Sequence, residues 1–157
     1  MTQDFLSLMG FGDPRLDDLV LELPNDLAAI ESAVEYVVSA LNGHADPRKL
    51  SLNLRVGLTE ALSNAMLYGN RQDPAKRVRV EIMRAVSSIT VRVTDEGPGF
   101  DPACVPDPTL PRNRRRPCGR GVFLMRQLMD EVHYNEQGNS VTLILRSGSG
   151  GLGGAPA

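Results

Sequence analysis

Residues 59–70 read TEALSNAMLYGN. They place a carboxylate, Glu60, and a carboxamide, Asn64, one helical turn apart among alanines and leucines. Residues four apart share a helix face, so the two groups point the same way. A carboxylate buried without a partner is strongly disfavoured. The pair therefore calls for a partner outside its own helix, or lies on a face left in water; on these two residues alone both readings stand.

The helix that carries them has clear ends. Asp46 is placed as N-cap with Pro47 in the first turn. The helix then runs to about Tyr68, where Gly69 can act as a left-handed C′ residue. Leu50, Leu54, Leu58, Ala61, Leu62 and Ala65 form its apolar set. A second line, Asn53, Gly57, Glu60 and Asn64, is polar or small throughout and marks a face shaped for something other than core.

Upstream, residues 19–23 (LVLEL) read as a short strand stopped by Pro24. Asn25 is the expected N-cap of a helix to about residue 41, with Leu27, Ile30, Val34, Val37 and Leu41 as one stripe. Downstream, Val78, Val80 and Ile82, then Ile89, Val91 and Val93, alternate with polar residues. These predict two half-buried strands joined by a turn over residues 85–88. A long Gly-, Pro- and Arg-rich segment follows, of the kind that serves as a lid or binding loop. A third helix is expected over about 122–129, then a hairpin pairing 131–135 with 140–146 around Gly138. The order predicts an α+β two-layer sandwich, a mostly antiparallel mixed sheet with helices packed on one face.

A chain of 157 residues, 41% hydrophobic and 23% charged, falls in the globular class and is long enough to bury one core. The expected organisation is an extension over 1–17, one folded domain over 18–146 and a flexible Gly-rich tail over 147–157. A net charge of −2 supplies no global field for nucleic acid or membrane. No run is apolar enough to span a bilayer, and the N-terminal run carries acids where a signal peptide would be basic. Cys104 and Cys118 make no metal pattern and read as reduced thiols in a cytoplasmic protein.

Three motifs could carry chemistry. At Glu60/Asn64, an amide oxygen suits Mg²⁺ and a neighbouring carboxylate can orient a hydroxyl for phosphoryl transfer. In DEGPGF, residues 95–100, Asp95 ends a strand and can accept from an exocyclic amine, while the glycines permit close approach; alone, this is also ordinary turn chemistry. Gly119-Arg120-Gly121 precedes a helix, where exposed N–H groups and a guanidinium suit phosphate, though a hinge would look the same. Arginines 112, 114, 115 and 116, without interleaved aromatics, are weak grounds for nucleic acid. No P-loop, no eukaryotic-type kinase triplet and no dinucleotide fingerprint occurs.

Taken together, TEALSNAMLYGN, DEGPGF and GRGVFLMRQLMDEV resemble the N, G1 and G2 boxes of the Bergerat-fold ATPases, the gyrase and histidine-kinase-like superfamily. Within it, the chain most resembles the anti-sigma-factor serine/threonine kinases of bacterial partner switching, over residues 18–146. The resemblance implies ATP and Mg²⁺ as cofactors. It implies that Asn64 holds the metal, Glu60 positions the acceptor hydroxyl, and Asp95 binds the adenine amine in a pocket shaped by Gly97 and Gly99. Gly119, Arg120 and Gly121 would cradle phosphates, and Thr142 would be the hydroxyl near adenine. The implied partners are a STAS-domain anti-sigma factor antagonist, which is phosphorylated on serine or threonine, and a sigma factor; many relatives are homodimers.

The chain departs from the family where Tyr68 precedes Gly69 in place of histidine, and in its basic lid. Whether Arg116 or Arg120 meets the γ-phosphate stays open. Cys104 and Cys118 could tether the lid on oxidation, but two idle thiols is the simpler reading. The alternative function is an ATP-binding anti-sigma factor or regulatory module with little kinase activity. The catalytic half of a histidine kinase would need a histidine-bearing dimerisation hairpin, for which His44 and His133 are poorly placed.

Overall fold

The alternation of apolar and polar residues that marks the strands becomes the two faces of one sheet. The computed structural model describes residues 18–43, 45–98 and 124–146. Its five strands are β1 (Asp18–Pro24), β2 (Arg77–Arg84), β3 (Ser88–Asp95), β4 (Glu131–Tyr134) and β5 (Ser140–Arg146), in the order β1-β2-β3-β5-β4. A mostly antiparallel mixed sheet was expected; every described pairing is antiparallel. Pro24 is the last paired residue of β1, opposite Arg77, which an edge strand tolerates because one side of its backbone needs no ladder partner.

One face of the sheet is aliphatic. Leu19, Leu21 and Leu23 of β1, Val78, Val80 and Ile82 of β2, Ile89, Val91 and Val93 of β3, and Val141, Leu143 and Leu145 of β5 are all buried. The other face carries charge across the strands: Glu22 pairs with Arg79, and Glu81 lies between Arg79 and Arg92. Such cross-strand pairs support register, and one-residue slippage would bury this charge.

Two helices cover the aliphatic face. A 3₁₀ turn, Leu27–Ala29, leads into α1 (Ile30–Ala40). The cap is Asp26, whose side chain accepts from Ala28 N–H, and not Asn25 as expected. The Asn25 amide is drawn to distant partners instead, donating to the Asp73 carbonyl at 3.0 Å and accepting from Asn70. In the expected stripe, Ile30, Val34, Val37 and Leu41 are buried, whereas Leu27, ahead of the α-helical turns, is exposed.

α2 spans residues 47–69 without a break. Asp46 caps it as expected, accepting from Arg48 N–H at 2.8 Å. Its first and last turns, Lys49–Leu54 and Ala65–Gly69, are wound wider, as π turns, around the α-helical Arg55–Asn64. Asn70 N–H closes the last one on the Ala65 carbonyl at 2.7 Å. Gly69 is not left-handed; Arg71 and Gln72 are, at φ 53° and 61°. Gly69 is needed for space, as the site makes plain.

α3 is described over residues 124–128. Asn53 donates to the Leu128 carbonyl at 2.9 Å, satisfying an acceptor that the end of α3 leaves open. A Cβ on Gly57 would stand 3.1 Å from Met129 Sδ. Half of the polar-or-small line on α2 therefore seats α3. Only Glu60 and Asn64 remain of that line for other work.

Candidate functional site

The pocket lies where the last turns of α2 meet the end of β3 and the β4–β5 turn. It is a narrow cleft, and the roughly 390 Å³ of free space there includes open solvent at its mouth. Asn64, Tyr68 and Gly69 come from α2, Val93 and Asp95 from β3, and Asn139 and Val141 from the β5 side. Most of the lining is apolar, with a few converging polar groups, which is the usual make-up of a small-molecule site.

Asp95 is the polar floor. It is 8% exposed. Its Oδ1 accepts Gly97 N–H at 2.8 Å, and its own N–H donates to the Asn139 carbonyl at 2.9 Å. Burial pushes its carboxyl up from 3.8 to about 6, against the Gly97 N–H and the positive charge of Lys76, which pull it down. The carboxylate lies so close to α2 that a Cβ on Gly69 would be 2.2 Å from Oδ2. A Cβ on Gly97 would be 1.7 Å from the Gly69 carbonyl oxygen. The two glycines thus let a helix end, a turn and a carboxylate share one small volume.

Asn64 stands on the facing wall. Its Nδ2 is buried and has no hydrogen-bond partner among the described residues. A buried amide nitrogen left unpaired is uncommon and points to a partner supplied from outside. Glu60 is half-buried one turn before it on α2, with no hydrogen bond or ion pair among the described residues.

Thr142 is not brought to this pocket. In β5 it alternates with buried Val141 and Leu143, so it faces the opposite side of the sheet, paired with Arg92 and His133. The inward residue is Val141, and that alternation is legible in the sequence. Gly97 does not itself line the pocket but packs against Gly69 and Asp95, which do. Gly99, Gly119, Arg120 and Gly121 lie outside the described residues, as do both cysteines, His44 and arginines 112, 114, 115 and 116. Tyr68, Val93, Asn139 and Val141 were missed as lining; Val93 could have been found, since it shares the inward parity of Asp95.

The family model described as the histidine kinase-like ATPase domain matches residues 23–145. This chain belongs to that ATPase family. Among its relatives, the anti-sigma F factor of Anoxybacillus flavithermus is 25% identical over 126 residues, covering 75% of this chain and 83% of the relative. That of Clostridium beijerinckii is 26% identical over 127 residues, covering 74% and 84%. That of Geobacillus stearothermophilus is 27% identical over 122 residues, covering 73% and 80%. In fold, the chain matches a crystal structure of the RsbU and RsbW domains of a Mycobacterium tuberculosis protein. The TM-score is 0.54 at 14% identity, with 84% of this chain and 32% of that one covered. The chain therefore spans about a third of that solved chain.

The pocket of this ATPase domain suits its nucleotide. It has an apolar slot, a buried hydrogen-bond acceptor at Asp95, and an amide nitrogen of Asn64 that is unpaired among the described residues. No group of three or more acidic, histidine or cysteine side chains that could hold a metal occurs among the described residues. Among the described residues no helix is long and apolar enough to cross a membrane.

Proposed function

We propose that the protein is an ATP-dependent serine/threonine kinase of a cytoplasmic partner-switching system. It phosphorylates a STAS-domain anti-sigma factor antagonist and sequesters a sigma factor. The observation that carries this reading is the pairing, in one pocket, of buried Asp95 with Asn64, whose amide nitrogen is unpaired among the described residues, with Glu60 one helical turn before Asn64 on α2. Asp95 accepts from the adenine amine, and Val93, Ala61 and Ala65 enclose the base. Asn64 offers its amide to the phosphate–metal end, where bound Mg²⁺ would neutralise phosphate charge. Glu60 accepts a hydrogen bond from the antagonist's hydroxyl and holds it in line with the γ-phosphate. Gly119, Arg120 and Gly121 contribute phosphate contacts in the same reading.

Incubation with ATP, magnesium and a STAS-domain antagonist should move the γ-phosphate onto that partner. Glu60→Gln should reduce transfer at least about a hundredfold, as expected for a general base, while leaving ATP affinity within about twofold. Normal transfer by Glu60→Gln would remove the role assigned to it.

The relatives are named as anti-sigma factors, which favours a second reading: an ATP-responsive sigma-binding module with little kinase activity. Recovery of a sigma factor on the immobilised protein, with no transfer to any STAS protein tested, would decide for it.

A further inference from the structure

Asn70 takes no part in the chemistry above, yet it is 0% exposed and every polar atom of its side chain is engaged. Its Oδ1 accepts Glu96 N–H at 2.7 Å. Its Nδ2 donates to the Arg77 carbonyl at 3.0 Å and to Asn25 Oδ1 at 3.2 Å. One side chain thus ties the end of α2 to the starts of β2 and α1 and to the turn after β3. Both amide hydrogens and one of the two oxygen lone pairs are thus used, three of the four bonds an asparagine side chain can make.

We infer that Asn70 is the positioning residue for Asp95 and thereby sets which purine the pocket accepts. This rests on the reading of Asp95 as the acceptor for the adenine amine. Glu96 and Gly97 are the only covalent link from Asp95 into the turn, and Gly97 N–H orients Asp95 Oδ1. Asn70 holds Glu96 N–H, and Glu96 Oε1 is held in turn by Arg77 N–H at 2.8 Å. Gly97 rests against the Gly69 carbonyl, one residue before Asn70. Slack at residue 96 would pass directly, through Gly97 N–H and Oδ1, to the carboxylate that meets the base. Adenine presents an amine where guanine presents a carbonyl oxygen, so a fixed carboxylate accepts the first and repels the second. A loosened carboxylate can turn away from the guanine oxygen, and discrimination falls.

The test titrates the full chain with fluorescent ATP and GTP analogues in magnesium. The unaltered protein should prefer ATP, and Asn70→Ala should shrink the ratio of the two Kd values about tenfold, the worth of one well-placed hydrogen bond. Asn25→Ala removes an Asn70 partner and the tie to Asp73 but leaves the Asn70–Glu96 bond. It should lower stability and keep the preference. Full preference in Asn70→Ala, or equal loss in Asn25→Ala, overturns the inference. No preference in the unaltered protein overturns the reading of Asp95, and the inference with it. Should Asn70→Ala not fold, amide exchange in the unaltered protein decides. Glu96 N–H exchanging as slowly as the central β3 amides supports the clamp, and rapid exchange overturns it.

Discussion

Replacing Asp95 by asparagine keeps the shape of the pocket floor and the acceptor for Gly97 N–H while removing a charge held out of water. The carboxyl, at 3.8 in a solvated chain and about 6 in the fold, binds protons more tightly when folded. Its favourable contribution is fully present below 3.8 and is lost as pH rises through about 6. At about 1.4 kcal/mol per pH unit, holding it ionised in the fold costs about 3 kcal/mol at high pH. A neutral carboxamide in its place carries no such cost. The stability of Asp95→Asn minus that of the unaltered protein should therefore be about 2.5 kcal/mol more favourable near pH 7.5 than near pH 4. Urea unfolding followed by circular dichroism at both pH values, compared at equal slope, measures this. A difference that stays flat with pH would show that Asp95 is solvated in the fold, and the buried floor of the pocket would be wrong. The same variant should bind ATP more weakly, so the residue is retained at the expense of stability.

The same titration should appear in binding. Because an amine donor favours the ionised carboxylate, ATP affinity should fall by up to about tenfold per unit as pH drops below about 6; isothermal titration across that range reads it. Gly97→Ala would drive a methyl to 1.7 Å from a backbone oxygen, and melting should show a loss of about 3 kcal/mol or more. Gly57→Ala meets only the flexible end of Met129 at 3.1 Å, and the helix preference of alanine, worth about 1 kcal/mol, should bring its net change close to zero. Asn53→Ala leaves the Leu128 carbonyl without its donor and should cost about 1–2 kcal/mol in urea unfolding, with exchange rising first in residues 124–128.

The parts of the fold that depend on period were legible. β2, β3 and β5 alternate so regularly that their burial follows residue by residue, and Asp46-Pro47 announces α2 with chemistry confined to its own first turn. Most of what failed depends on contacts made across the fold. Asn25 has the side chain of an N-cap, but Asn70 and Asp73, brought near only by folding, claim it. Gly69 was read for backbone angle when its reason is the Asp95 carboxylate against it. The line Asn53, Gly57, Glu60, Asn64 is uniform in sequence, and only the docking of α3 divides it into a packing half and a site half. Thr142 was placed by likeness to relatives against the parity of its own strand. Asn70 left no local trace, because its partners lie at residues 25, 77 and 96.

The strand order also sets a timetable. β2 and β3 meet across a tight turn, as do β4 and β5, so each hairpin can close quickly and alone. β1 reaches β2 only after two intervening helices, and β3 joins β5 only across a long stretch of chain. Those two seams carry the larger loop-closure entropy and form last. The pocket straddles the second of them, so ligand-binding competence should come only once the β4–β5 hairpin has joined β3.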